Sequence, residues 1–370
     1  MTLGKLDTDV LVIGGGPAGL AAAVSARQNG FHVTVADCAR PPVDKACGEG
    51  LMPDGLAAFR QLGFSLDPAA TFPFRGIRFL DRSSSIAASF PEGCGMGIRR
   101  TRLHTAMAKA AAAAGVNLMW GVRVTGLSAD GAWIGNRLLR ARWIVGADGG
   151  NSRVRLWAGL HHDSRERRRF GFRRHYHLAP WSDHMELYWG RGAQIYVTPV
   201  AAAEVCVVVI SRDSRLRLGE ALAEFPALQA RLAAAHPITL ELGAVSASRS
   251  LPRVVRGRVA LVGDASGSVD AITGEGLCLS FCQALALGDA LQRDDLALYQ
   301  ARHRSLMRRP SFMAAVMLAF DGRPWLQHRA LRLLQARPAL FEKMLALHVG
   351  APAPAFGWHM LRAQILMRRS

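Results

Sequence analysis

The sequence predicts an α/β chain in which a parallel sheet covered by helices is interrupted by an antiparallel sheet and followed by a helical tail. Three observations carry this expectation. Buried-looking apolar runs end in glycine or an acid near Gly14, Asp148 and Asp264; short β-branched or aromatic runs fill residues 170–210; and the stretch from Leu296 to Ser370 has a helical texture with prolines at 310, 324 and 338. At 370 residues the chain exceeds a single typical core.

The first element is the apolar run Asp9 to Ile13, followed by "GGGPAG" and an alanine-rich segment from Leu20 to Gln28. This order reads as strand, tight turn and helix. Gly14, Gly16 and Gly19 fill G-x-G-x-x-G around Pro17 and Ala18, the pattern with which a Rossmann-like βαβ unit holds a pyrophosphate at a helix N-terminus. A second strand, Phe31 to Ala36, ends at Asp37, about where an acid should meet a ribose hydroxyl, ~20 residues on. FAD or NAD satisfies that acid; NADP fits it poorly.

Further on, Thr101 to Ala114 reads as a helix stopped by Gly115, with a strand to about Leu127. The run Trp143 to Val145 leads into Gly146-Ala147-Asp148-Gly149, a second glycine turn at a strand end, where open α/β sheets bind ligands. Between Phe170 and Ile210 the strands alternate, so that Arg173, His175 and His177 share one face and Phe172, Arg174 and Tyr176 the other. The basic face could be solvated, or it could supply a base and a carboxylate-binding group. After Val259 to Val262 the turn Gly263-Asp264 and a glycine-rich loop open a helix from about Gly276 to Leu291. The expected division is a discontinuous cofactor domain (1–70, 97–160, 250–300), a substrate domain (71–96, 161–249) and a helical C-terminal region (301–370).

A net charge of +18 invites a nucleic-acid partner. Only Lys5, Lys45, Lys109 and Lys343 are lysines, however, and an arginine excess of this kind follows from a GC-rich coding sequence. No nucleic acid is therefore expected; an acidic substrate or peripheral contact with an anionic membrane remains open. The six cysteines contain no C-x-x-C pair, so neither a metal nor a disulfide framework is expected. Reduced thiols and a polar "MTLGKLDTD" start suggest a cytoplasmic enzyme. The longest apolar helical stretch, Phe312 to Phe320, is far short of the ~20 residues of a membrane span.

Taken together, "GGGPAG", "GADGGNSRVR" and "GDASGSVDAITGEGL" resemble, in order and spacing, FAD-dependent oxidoreductases of the aromatic hydroxylase and geranylgeranyl reductase superfamily. The resemblance implies FAD as cofactor. It places Gly14, Gly16 and Gly19 at the pyrophosphate, Asp37 at the adenosine ribose, Arg100 at the phosphates or ribityl chain and Val124 at the adenine. Asp148 and Gly149 would lie at the pyrophosphate, Asp264 at the ribityl hydroxyls, and Gly274, Glu275, Gly276 and Leu277 near the flavin pyrimidine. "KACGEGLMPDGL" resembles the K-x-C-G-G element of the reductases and would set Cys47 and Gly48 beside the ring; an inert core role for Cys47 is equally open. Glu49 reads as a turn or surface carboxylate, with a proton-transfer role as the alternative.

Departures narrow the chemistry. Prenyl reductases carry Tyr-x-Trp-x-Phe-Pro, whereas this chain has Gln194, Tyr196 and Thr198 before Pro199; the halogenase Trp-x-Trp-x-Ile-Pro is missing; and Asp270-Ala271-Ile272-Thr273 lacks the hydroxylase proline. The expected activity is an NADH- or NADPH-dependent FAD monooxygenase acting on a small or lipophilic metabolite, with Arg173, Tyr188 and Tyr196 lining the substrate and His175 as base. The alternative is a reductase or dehydrogenase working on a C=C or C–N bond, with Cys47 or Tyr196 handling a proton.

Overall fold

The computed structural model describes residues 6–162 and 167–350. Residues 163–166 of the expected substrate domain and 351–370 of the helical tail lie outside them. The first sheet runs in the order Val255–Arg256, Val259–Leu261, Arg137–Gly146, Thr8–Ile13, Val33–Asp37, Asn117–Trp120, and all but the first of these pair in parallel. Such a sheet is covered on both faces, which is why its strands read as nearly continuous apolar runs. Ile13 stands in register with Gly146, and Gly146 with Leu261. Three strands far apart in sequence therefore end side by side, and their glycine turns meet.

Helices Pro17–Gln28 and Gly276–Gln292 pack together over this sheet. Both begin without a side-chain cap, so their first N–H groups are left for another partner.

The second sheet carries Arg167–His177, Glu204–Ser211, Ala193–Ala201 and His184–Trp189 as antiparallel neighbours, extended by Gly76–Leu80 and Ser85–Ser89 at one side and by Leu242–Ser248 at the other. Its faces are distinct. Met185, Leu187, Trp189, Tyr196, Cys206 and Val208 form one apolar cluster with the C-terminal helices Pro324–Ala336 and Pro338–His348. Tyr176, Tyr188, Ile195, Val197 and Val207 form another with helices Leu218–Leu222 and Pro226–Ala233. A small sheet of Gly50–Leu51, Gly95–Ile98 and Thr71–Phe74 joins the two halves. The α/β fold with an inserted antiparallel sheet and C-terminal helices is the one expected.

Candidate functional site

The three turns open onto one cavity of about 670 Å³ between the two sheets. Gly14 has φ +111°, and a Cβ there would meet Ala147 O at 2.4 Å; a Cβ on Gly19 would meet Gly14 O at 1.8 Å. Strand and helix close up only because both lack side chains. Gly16 has nothing within 4 Å of its would-be Cβ, and the same holds for Gly48, Gly149, Gly274 and Gly276. All five line the cavity, so bare backbone faces the space from four segments of the chain.

Pro17, Ala18, Asp37, Cys47, Arg100, Val124, Asp148, Gly263, Asp264, Glu275 and Leu277 line it too, whereas Gly19 lies behind the turn. Asp37 Oδ2 accepts from Gly15 N at 2.5 Å and Oδ1 from Ala39 N at 2.7 Å, fixing the acid at the mouth of the turn. Asp148 Oδ2 caps the next helix through Arg153 N (2.7 Å) and Val154 N (3.1 Å), but its Oδ1 is buried without a partner, as is Arg100 Nε. Lys45 Nζ reaches Asp264 Oδ2 at 3.1 Å. Open glycine backbone, orphaned polar atoms and uncapped helix ends are what a phosphate-bearing dinucleotide needs, and the residues fit FAD.

The basic strand face departs most from expectation. Arg173 and His175 are each 2 % exposed and line no part of the cavity; they point at the segment between Asp44 and Glu49. Arg173 donates to both oxygens of Asp44 at 2.8 Å and to Glu49 Oε1 at 3.1 Å. His175 Nε2 lies 2.6 Å from Glu49 Oε2, and its Nδ1 lies 3.2 Å from Thr239 Oγ1. Glu49 Oε2, a carboxylate oxygen, can only accept, so Nε2 carries the ring proton that faces it, while the Thr239 hydroxyl also accepts from His175 N. A solvated basic face is thus overturned at Arg173 and His175, whereas His177 at the end of the strand is exposed. Also overturned is a turn or surface carboxylate at Glu49, which is 2 % exposed and holds Arg100 N at 2.9 Å through Oε1.

Burial raises the Cys206 thiol and the Glu49 charge adds to the rise; its sulfur, a Glu49 oxygen and a His175 nitrogen lie within 4.8 Å of one another. Arg173 already supplies the positive charge that this carboxylate requires. We read the group as an ion-pair cluster.

Tyr188 faces the other side of the sheet, against Phe225, with its hydroxyl donating to Glu186 Oε2 at 2.7 Å. An odd–even count along its strand separates it from Met185. Tyr196 does line the cavity; its hydroxyl lies 2.7 Å from Ile272 O and 2.9 Å from Gln194 Oε1. Sequence reading missed His104, buried in helix Arg100–Ala113, whose Nε2 holds Gly15 O at 2.8 Å while Nδ1 accepts from Val43 N at 3.4 Å. Burial lowers its pKa, in keeping with a neutral ring. Nothing local distinguishes it from a surface histidine on that helix.

Fold and cavity together define an FAD-dependent oxidoreductase. Residues 7–294 match the family described as FAD binding domain, and the chain belongs to it. A menaquinone reductase from Mycolicibacterium smegmatis is 33% identical over 126 residues, covering 33% of this chain and 31% of the relative, so the match spans about a third of that protein. Digeranylgeranylglycerophospholipid reductase 2 from Methanosphaera stadtmanae is 27% identical over 299 residues, 74% of each chain. Among solved structures, a flavoprotein/dehydrogenase from Cytophaga hutchinsonii shares the fold with a TM-score of 0.79 at 19% identity, over 92% of each chain.

The bare face of Gly16 gives a direct test of cofactor fit. Gly16→Val should fold, because φ is −68° and the space is open, leaving the stability of the apoprotein within about 0.5 kcal/mol of the parent. It should also purify without yellow colour. Flavin absorbance per chain and urea unfolding of both apoproteins check the two halves.

Proposed function

We propose that this chain is an NAD(P)H-dependent FAD monooxygenase that oxidises a lipophilic, electron-rich small molecule. The observation behind this reading is the sheet side of the cavity, where Met52, Met185, Val208, Ile210 and Ala244 present apolar surface. The charged group there, Arg169, is 4 % exposed and held by Asp270 at 2.5 Å and Asp321 at 2.9 Å, so it is not free to take a substrate carboxylate. Apolar walls exclude water, which would otherwise divert activated oxygen into peroxide.

Gly14, Gly16, Asp37 and Val124 would hold the adenosine half of FAD, with Arg100, Asp148 and Gly149 at the phosphates and Asp264 at the ribityl chain. Gly274 to Leu277 would turn N–H groups at the start of helix Gly276–Gln292 toward the ring, and Cys47 and Gly48 would lie along it. When bound, FAD supplies electron transfer from the nicotinamide and the activation of oxygen. The chain's own task is then to shape a dry compartment and hold the substrate against it.

A reductase acting on a C=C bond is the second reading, favoured by Cys47 in the cavity and by relatives named as reductases. Such a reaction needs a proton at carbon. Tyr196 is a poor source, since its hydroxyl is engaged by Ile272 O and burial pushes its pKa well up, while the Glu49 carboxylate is enclosed by Arg173 and His175. Of the two groups expected for that role, Cys47 is the one left.

The readings separate on Cys47→Ala. A monooxygenase keeps its turnover within about threefold, whereas loss of a reductase's proton donor lowers kcat ~100-fold or more. Incorporation of labelled oxygen from O2 into the product supports the first; a product that gains two hydrogens under argon sinks it.

A further inference from the structure

We propose that the outward face of helix Pro324–Ala336 docks on an anionic lipid surface. Between Asp321 and Glu342 the chain carries Arg323, Arg329, Arg332 and Arg337 and no carboxylate. Trp325, Arg329, Arg332 and Leu333 recur at i, i+4, i+7 and i+8, which puts them on one stripe of the helix. All four are exposed, Trp325 by 62 % and Leu333 by 50 %, while Leu331 and Leu334 of the opposite face are buried. The Arg329 guanidinium lies 5.8 Å from the centroid of the Trp325 ring. On the helix flank His328 pairs with Asp81 Oδ2 at 3.0 Å, and the other oxygen of that carboxylate accepts from Ser83 N and Ser84 N.

A helix with a buried apolar face does not need a second, exposed one for folding. Tryptophan and leucine amid arginines are the components of a helix lying in a membrane interface, where the aromatic ring enters the headgroup layer and guanidinium groups meet lipid phosphates. A nucleic acid or an acidic protein would use the arginines and leave Trp325 and Leu333 in water. The helix does not span a bilayer: among the described residues no helix is long and apolar enough to cross one.

The position of the stripe gives the contact a purpose. Leu331 and Leu334 belong to the same apolar cluster as Met52, Met185, Tyr196 and Val208, the residues on the sheet side of the cavity. The docking face is therefore joined to the wall of the substrate compartment through one continuous apolar cluster. This use of the surface rests on the lipophilic-substrate reading; the docking itself does not.

The test is co-sedimentation of the full-length, flavin-loaded protein with vesicles, without substrate. The protein is expected to pellet with vesicles of phosphatidylcholine mixed with phosphatidylglycerol, to remain in solution with phosphatidylcholine alone, and to lose affinity as salt is raised. R329A/R332A should weaken partitioning about thirtyfold, and W325A/L333A about tenfold, both with unchanged flavin content and melting temperature. Equal pelleting with neutral lipid, no pelleting, or variants that bind as the parent does would overturn the proposal. Salt-sensitive binding to duplex DNA or to an acidic protein without vesicle binding would also overturn it. A chain that binds vesicles but fails to incorporate oxygen counts against the proposed reaction and leaves the docking surface standing.

Discussion

Glu49→Ala is expected to destabilise the folded chain by about 3–5 kcal/mol, the usual effect of removing one member of a buried ion pair. The loss falls toward the lower end because Arg173 retains Asp44 at 2.8 Å, but His175 and Arg100 N lose their acceptor together. Glu49 adopts φ +59°, a left-handed conformation that disfavours any side chain by roughly 1–2 kcal/mol. Three hydrogen-bonding groups around its carboxylate offset that strain. Glu49→Gly removes the carboxylate and the strain at once, and should be more stable than Glu49→Ala by about 1 kcal/mol. Glu49→Gln should lose least, ~1–2 kcal/mol, since the His175 proton can move to Nδ1 and leave Nε2 to accept from the amide. Urea unfolding of the four apoproteins, followed by tryptophan fluorescence, gives the order. If alanine proves as stable as glutamine, the cluster is not what holds the segment from Asp44 to Glu49 against the inserted sheet.

The same residues mark how far the sequence could be read. The dinucleotide half was legible because its signals are local: Gly14 to Gly19, Asp37 and the two later glycine turns each sit at the end of an apolar run, and a parallel sheet brings such ends together. Arg173, His175 and Glu49 were not legible as a group, since the partners lie 124 and 126 residues apart and meet only when the inserted sheet closes on the first domain. A signal was nevertheless present. In K-x-C-G-G the last position is glycine, and this chain has Glu49 there. A charged residue where backbone freedom is expected asks for buried partners, and the alternation that set Arg173 and His175 on one face supplied them. Tyr188 failed for a related reason: its strand was recognised, but which face looked toward the cavity depends on helices near the end of the chain.

Glu275→Gln is expected to stabilise the protein at about pH 8 by a few kcal/mol and to change little near pH 4.5, an unusual sign for loss of an acid next to an arginine. The Glu275 carboxyl is pushed up to about 8, chiefly by burial; Arg309, at 3.6 Å, pulls the other way, and the charge of Asp54 adds to the rise. Its Oε2 is buried without a partner, 3.8 Å from His348 Nδ1, an equally unpartnered atom whose ring burial lowers to about 4. Two neutral groups face each other across that gap. In the unfolded chain the carboxyl releases its proton near its ordinary value of 4.5, whereas the folded chain keeps it to about 8, so stability falls as pH rises through that window. His348 acts in the opposite sense: the unfolded ring takes a proton below about 6.5 and the folded ring does not, so its contribution is lost as pH falls from there toward 4. Glutamine keeps the shape of Glu275 and cannot ionise, so the alkaline loss should vanish while the acid one remains. Urea midpoints of apoprotein and variant between about pH 5 and about pH 8 measure the difference. Were the variant weaker by the same amount throughout, Glu275 would be a carboxylate neutralised by Arg309. A neutral Glu275 matters to the cavity because it sits between Gly274 and Gly276: an uncharged carboxyl leaves the positive end of helix Gly276–Gln292 undiminished for whatever anionic group those N–H donors face.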